Sequence, residues 1–392
     1  MWKRNFSLGQ HFCWMLTLVT ALFAGGCSKP YLPPTIEKPT QASSNRFDGL
    51  LTLLEKHGAL HVLWIHGMCP HNVKDWAEPR VNAVMKRLGI EGPSAIASTS
   101  IGEFIYRYEL DYQGKPITLD MVVWSELIAE RRAELCFDSV KEDSGMVYQA
   151  CGDRANYPYR RAKLNNALKS GLLNACLADA MIYIGGYGRV VRDKLRPEIE
   201  AALAPSPDGT KPAVLLMSES LGSKVMFDTI QQIMGNRSKS LAAAGAVSTL
   251  QNTVQIMMFA NQIPMLDLAD SEPARVSASW QTSAGEAGSS LHGFVGALRK
   301  ISGQKLKEAE KIDRLKVVAF SDPNDVLSYR LPNDYFPSSW RTDVINVIPS
   351  NDYVWFWLFE NPLTAHQGYS NTDEVFDLFL CGNPPDETCV DQ

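Results

Sequence analysis

The residues best suited to chemistry are Ser218-Glu219-Ser220-Leu221-Gly222. The apolar run Ala213–Met217 leads into them, and a helical pattern (SKVMFDTIQQIM) follows. A serine on so tight a strand-to-helix turn presents its hydroxyl clear of both backbones, provided small residues stand two before and two after it. Ser218 and Gly222 fill those places, Ser218 standing where the commoner pattern G-x-S-x-G has glycine. The five residues alone are a weak signal, because a plain strand–helix turn can match them by chance. The strand before and the helix after raise their weight. Such a hydroxyl becomes a nucleophile only beside a base that takes its proton.

Histidines are the first place to look for that base. His61, His66 and His71 recur at intervals of five, with Cys69 among them. Residues five apart lie on opposite faces of a strand, which argues against a metal site. No C-x-x-C pair occurs, so zinc-ribbon and thioredoxin-like readings lack support. His11 falls in the N-terminal segment read below as a signal; His57 and His292 read as surface residues. Neither a metal nor a cofactor is expected.

The elements that must carry these residues are legible as continuous apolar runs alternating with helical stretches. The runs are His61–Ile65, Leu119–Trp124, Ala213–Met217, Val254–Ala260, Leu315–Phe320 and Val344–Ile348. Runs without alternation indicate a mostly parallel sheet buried on both faces, an α/β architecture. Ile101–Ile117 reads as a hairpin around Gln113-Gly114-Lys115. Helices are expected at Asp75–Leu88, Tyr187–Leu203, Leu221–Met234 and Asp373–Leu380. Two long segments, near 125–180 and 268–314, read as cap-like insertions at one end of the sheet. In the second, Leu291, Phe294, Val295, Leu298 and Ile301 fall at helical spacing. Packing onto the body is favoured there over a mobile lid.

Three further motifs follow in chain order. His66-Gly67-Met68 ends the first strand of the body. Ser321-Asp322-Pro323-Asn324-Asp325-Val326-Leu327, then Leu331-Pro332, follows the strand Leu315–Phe320. Ala365-His366-Gln367-Gly368-Tyr369 comes after the last strand and before the last helix. With the serine turn, this series resembles the α/β-hydrolase superfamily, lipases and esterases especially. The resemblance spans about residues 59 to 380, is specific at four short sites and is silent in the insertions. It implies an α/β-hydrolase fold with helices on both faces of the sheet. It also implies a triad of Ser220, Asp325 and His366, with Asp322 as the second candidate for the acid. The oxyanion-hole donors would be the backbone N–H groups of Met68 and Leu221. The activity implied is serine hydrolysis of a carboxylic ester, with an ester or lipid as substrate. From a different class, the chain could be a non-catalytic envelope binding or scaffold lipoprotein on a degenerate hydrolase fold. A scaffold has no need of nucleophile, acid, base and oxyanion loop together.

Composition bounds the rest. The chain has 392 residues, 45% hydrophobic and 21% charged, enough for a substantial core. A net charge of -5 argues against nucleic acid as a partner. Lys3 and Arg4 precede the apolar stretch Phe12–Phe23 and then Ala24-Gly25-Gly26-Cys27. Residues 1–26 therefore read as a secretory signal, too short in its apolar core to span a bilayer at about 20 residues. The run resembles a bacterial lipobox, with Ala24 in place of the usual leucine. That implies cleavage before Cys27, a lipid on Cys27 and attachment to a membrane. Ser28, not Asp, follows, which points to the outer membrane, the body facing the periplasm. Residues 27–46 are Pro-rich and read as a tether, and 47–392 as the folded domain. Apart from Cys13 in the signal and Cys27, six cysteines remain. Export favours up to three disulfides, with Cys381–Cys389 and Cys136–Cys151 as the local guesses.

Overall fold

A computed structural model of the protein describes residues 27–38, 44–90, 98–139, 151–270, 290–302, 314–385 and 389. The segment read as a signal, and most of the second insertion, lie outside the described residues. Among the described residues nine strands form the main sheet: β1 (Thr35–Ile36), β2 (Leu60–Ile65), β3 (Thr99–Ser100), β4 (Ile105–Tyr112), β5 (Lys115–Val122), β6 (Ala213–Glu219), β7 (Thr253–Phe259), β8 (Leu315–Phe320) and β9 (Thr342–Ile348). Their spatial order is β1-β9-β8-β7-β6-β2-β5-β4-β3. Neighbours from β9 through β5 are parallel. The edges beyond them are antiparallel. The protein is thus of the α/β class.

The apolar runs lack alternation because both faces are covered. In β6, Val214 and Leu216 enter one core layer, Leu215 and Met217 the other. In β2, Leu63 and Ile65 divide from Val62 and Trp64 in the same way. Each such side chain contributes about 1.5–3 kcal/mol when taken wholly from water. Helices Gly188–Ala202, Gly222–Asn236, Leu241–Leu250 and Ser290–Ser302 cover the first face. Leu50–His57, Glu78–Arg87 and Asp373–Cys381 cover the second.

From β2 the chain passes to β5 on one side and later returns to β6 on the other. The sheet's order therefore reverses between β2 and β6. A crevice opens outside the carboxyl ends of strands at such a reversal, and ligands bind there. The loops carrying Gly67 and Ser220 leave β2 and β6 at this end.

Several expectations need correction. The run Leu119–Trp124 is not a separate strand after a hairpin. Leu119–Val122 is the buried half of β5, which pairs along its whole length with β4 as one hairpin. Exposure changes along the strand, so one element reads as two. The turn holds only Gln113 and Gly114, with φ of 54° and 79°, the left-handed pair that a two-residue hairpin requires. His292 is not on the surface. The helix Ser290–Ser302 buries it against Phe336 and Trp340. Leu291, Phe294, Val295 and Leu298 of that helix are buried too, so it packs onto the body, the reading their spacing favoured. Residues 27–38 of the Pro-rich segment lie along the domain: Cys27–Ser28 pairs with Val354–Trp355, and β1 pairs with β9.

The first insertion contains a continuous helical run, Lys163–Ile184, of 22 residues and mean hydropathy 1.2. Its buried Asp179 pairs with Arg132 at 2.7 Å, and its Cys176 is bonded to Cys69, so it is tied to the body. Sulfurs also meet at bonding distance in both locally guessed pairs, Cys136–Cys151 and Cys381–Cys389.

Candidate active site

Ser220 stands between β6 and the helix Gly222–Asn236 with φ of 52°. A left-handed backbone costs a non-glycine residue about 1–2 kcal/mol, so the surroundings must hold it. The Ser220 N–H donates to the Phe259 carbonyl at 2.8 Å, and its carbonyl accepts from Ser223 N–H at 3.1 Å. Gly222 is required by contact: a Cβ there would lie 2.3 Å from the His66 carbonyl oxygen. Ser218 is accommodated because its buried hydroxyl shares a hydrogen bond with Ser223 at 2.9 Å.

Three distant segments converge on this turn. His366, on the short helix Pro362–Gln367, brings Nε2 to 3.0 Å from Ser220 Oγ. Its Nδ1 faces both Asp325 oxygens at 2.9 Å. These lengths lie within the reach of proton transfer. Asp325 also accepts from Leu327 N–H at 3.0 Å and from the Tyr369 hydroxyl at 3.0 Å. Burial, then the charge of Asp325, pushes the Tyr369 hydroxyl well above its ordinary pKa, so it stays a donor.

Asp322 holds the loop instead of the ring. Its Oδ1 accepts from Asn324 N–H at 2.8 Å and its Oδ2 from Asn351 N–H at 2.6 Å. Burial pushes its carboxyl up. Asn351 in turn donates to the Ala365 carbonyl at 2.6 Å, beside His366. Of the two candidate acids, Asp325 faces the histidine and Asp322 ties three loops together.

The loop His66-Gly67-Met68 lies against Ser220. A Cβ on Gly67 would stand 2.8 Å from the Ser220 Cβ, so Met68 is delivered to the serine's side. Leu221 caps the helix Gly222–Asn236, whose first N–H groups lack helical acceptors and carry a partial positive charge. Met68 and Leu221 are both buried. His66 Nε2 accepts from the N–H groups of Trp124 at 2.9 Å and Ser125 at 3.2 Å. Its proton is therefore on Nδ1, which donates to the Gly67 carbonyl at 2.7 Å. Burial drives the His66 pKa well down and that of His71 to about 4, so both rings are neutral at pH 7. His61, at the far side, meets Asp120 at 2.6 Å. Among the described residues no group of three or more His, Cys, Asp or Glu could hold a metal.

Cys69 follows Met68 at φ 79° and is bonded to Cys176. Its N–H donates to Asp179 at 2.9 Å, and Arg132 clamps the same carboxylate. The bridge closes a sequence separation of 107 residues. Loop entropy assigns about 4.7 kcal/mol to a closure near 100 residues, less where a second bridge already shortens the loop. The double substitution Cys69→Ser/Cys176→Ser is expected to cost roughly 3–5 kcal/mol in denaturant unfolding. A change below about 1 kcal/mol would contradict the bond or its role.

Glu219, between the two serines, was not singled out by its sequence context. Its carboxylate accepts from Arg80 Nε at 2.7 Å and Nη2 at 2.9 Å, and from the indoles of Trp64 and Trp76 at 3.1 Å each. Arg80 reaches on to Ser370 Oγ at 2.8 Å. A charge so enclosed is stable only when its acceptor sites are filled, and four donors fill them. The network fixes the residue before Ser220 and links it to the loop after His366. Its one sequence signal is a carboxylate at the end of an otherwise apolar strand.

Glu360 binds the loop that carries Asp325. It accepts from Asn324 Nδ2 at 2.7 Å and Asp352 N–H at 3.1 Å. Burial, then the charge of Asp322, pushes its carboxyl up to about 7. A raised carboxyl means the folded protein holds this proton more tightly than the unfolded chain. That stabilisation is complete below the unfolded value, near 4.5, and is lost as pH rises through about 7. Glu360→Gln, which keeps the shape without titrating, should flatten the fall in Tm between about pH 5 and 8. Parallel curves for variant and parent would refute the assignment.

Compared with known protein families, curated proteins and solved structures, the chain matches none.

Proposed function

We propose that the protein is a serine hydrolase of the α/β-hydrolase fold that cleaves carboxylic esters. The observation that carries this reading is the chain of contacts through one imidazole: Ser220 Oγ at 3.0 Å from Nε2, and Asp325 at 2.9 Å from Nδ1. The strained turn at Ser220 and the glycines that pack the two loops against it support the same reading.

In this mechanism Asp325 accepts the Nδ1 proton's hydrogen bond and leaves Nε2 free. Nε2 takes the proton of Ser220 as Oγ attacks the ester carbonyl carbon. The carbonyl oxygen becomes an oxyanion beside the N–H groups of Met68 and Leu221, where losing one donor typically costs about 3 kcal/mol. His366 then gives its proton to the departing alcohol, and an acyl group remains on Ser220. Water, deprotonated by His366, attacks that acyl carbon, the bond to Ser220 Oγ breaks, and His366 returns its proton to Oγ as the acid leaves.

The proposal includes place. A lipid on Cys27 would hold the chain at the outer membrane, the body facing the periplasm. Cys27 is exposed and outside the three disulfides, as such a residue must be. A panel of p-nitrophenyl esters of rising acyl length tests the chemistry. Turnover of at least one chain length is expected, and turnover of none would overturn the reading.

A further inference from the structure

The sequence Tyr353-Val354-Trp355-Phe356-Trp357-Leu358-Phe359 lies between β9 and His366. It forms a tight reversal in which Trp355 N–H donates to the Phe359 carbonyl at 2.8 Å. Phe356 and Trp357 turn it, with φ of 52° and 57°. Bulky aromatic residues are rare in that region, which costs backbone energy. Tyr353, Trp355, Phe356, Trp357, Leu358 and Phe359 are between 40% and 87% exposed. Scattered exposed apolar residues are ordinary, but six within seven positions form a continuous patch.

We infer that this aromatic tip is seated in the interfacial layer of a lipid bilayer. Three observations select that occupant. Cys27, the residue read as lipidated, is paired directly with Trp355 in an antiparallel ladder, so a lipid there would enter the membrane beside the tip. The tip Tyr353–Phe359 has no charged side chain, Asp352 and Glu360 stand at its base, and Lys29 Nζ sits 5.4 Å from the Tyr353 ring centroid. Tryptophan and tyrosine flanked by a lysine favour the headgroup boundary, and a single acyl chain becomes a firm anchor only with a second contact. Lastly, a stable dimer interface draws on about 20–30 residues a side, well beyond one small tip. The base of the tip is tied to the Asp325 loop through Glu360, so seating it would orient the triad relative to the membrane. The inference draws on the Cys27 part of the proposed function and not on its chemistry.

The test uses the full-length chain reconstituted in phosphatidylcholine vesicles brominated near the headgroup end of the acyl chains. Quenching of tryptophan emission is compared with that of the double variant Trp355→Phe/Trp357→Phe. The parent is expected to lose about twofold more emission than the variant, or more. Leu358→Asp, which keeps every tryptophan, should move the parent's quenching towards the variant's. Equal quenching in parent and double variant would overturn the inference. So would equal quenching with a concentration-dependent dimer by sedimentation, which would assign the tip to a second copy. Hydrolysis of a water-soluble ester in detergent is expected to be alike in all three proteins. Failure of the membrane contact and failure of the chemistry are therefore distinguishable.

Discussion

Ser220→Ala is expected to lower kcat on the best ester of the panel by about 10⁴-fold or more. The magnitude follows from what the substitution removes. Alanine deletes the attacking oxygen, so no acyl-enzyme forms, and what is left is water in a site with oxyanion donors. In a serine protease, single removal of the nucleophile costs about 10⁶ in kcat, because the triad works as a unit. The fold should survive. Ser220 Oγ bonds His366, while its backbone N–H and carbonyl, which hold the turn, remain in the variant. Alanine at φ 52° is no more strained than serine, so Tm should shift little. A loss below tenfold would show that turnover arises elsewhere.

Asp325→Asn is expected to cost about a thousandfold or more in kcat, and Asp322→Asn about tenfold or less. Asparagine keeps the size of Asp325 but offers an NH₂ group and one acceptor. Leu327 N–H and the Tyr369 hydroxyl already claim acceptors there. With the amide donor turned to the ring, Nδ1 must accept and Nε2 carries the proton, which is the wrong tautomer for a base. At position 322 the loss is one of two backbone hydrogen bonds, from Asn351 or Asn324. Leaving a buried N–H unpaired costs about 1–3 kcal/mol of stability, so that variant should show a lowered Tm with most of its turnover intact. If Asp322→Asn is the more damaging in kcat while both variants are folded, the acid assignment is reversed. If neither matters, the histidine is oriented by another group.

The strands were legible because burial on both faces leaves an uninterrupted apolar run. Leu315–Phe320 agrees at both ends, and Ala213–Met217 falls two residues short only because the strand continues into Ser218 and Glu219. Ser220, Asp325 and His366 each sit in a short local pattern, so each could be singled out without knowing what lay across from it. Contacts between distant, unpatterned residues left no such trace. Nothing near Arg80 announces Glu219, 139 residues away, and nothing near Cys69 announces Cys176 or Asp179. His292 gave the opposite error, a polar residue whose neighbours Phe336 and Trp340 arrive from a later segment and bury it. β5 was split because its alternation stops where the sheet's second face becomes covered. The aromatic tip, a short apolar run between β9 and His366, was not singled out in the sequence, because it fits neither a strand nor a helix pattern. That its residues face solvent beside Cys27 depends on the ladder between Cys27–Ser28 and Val354–Trp355, which sequence periodicity cannot give.

In the proposed reaction one hydroxyl, Ser220, is made nucleophilic by His366. A fluorophosphonate probe reads that property without knowledge of the natural substrate, since an unactivated serine does not displace fluoride at neutral pH. The full-length protein should take up one probe per chain, on the peptide that contains Ser220, and Ser220→Ala should take up none. No adduct on the folded parent, or an adduct that persists in Ser220→Ala, would contradict the account.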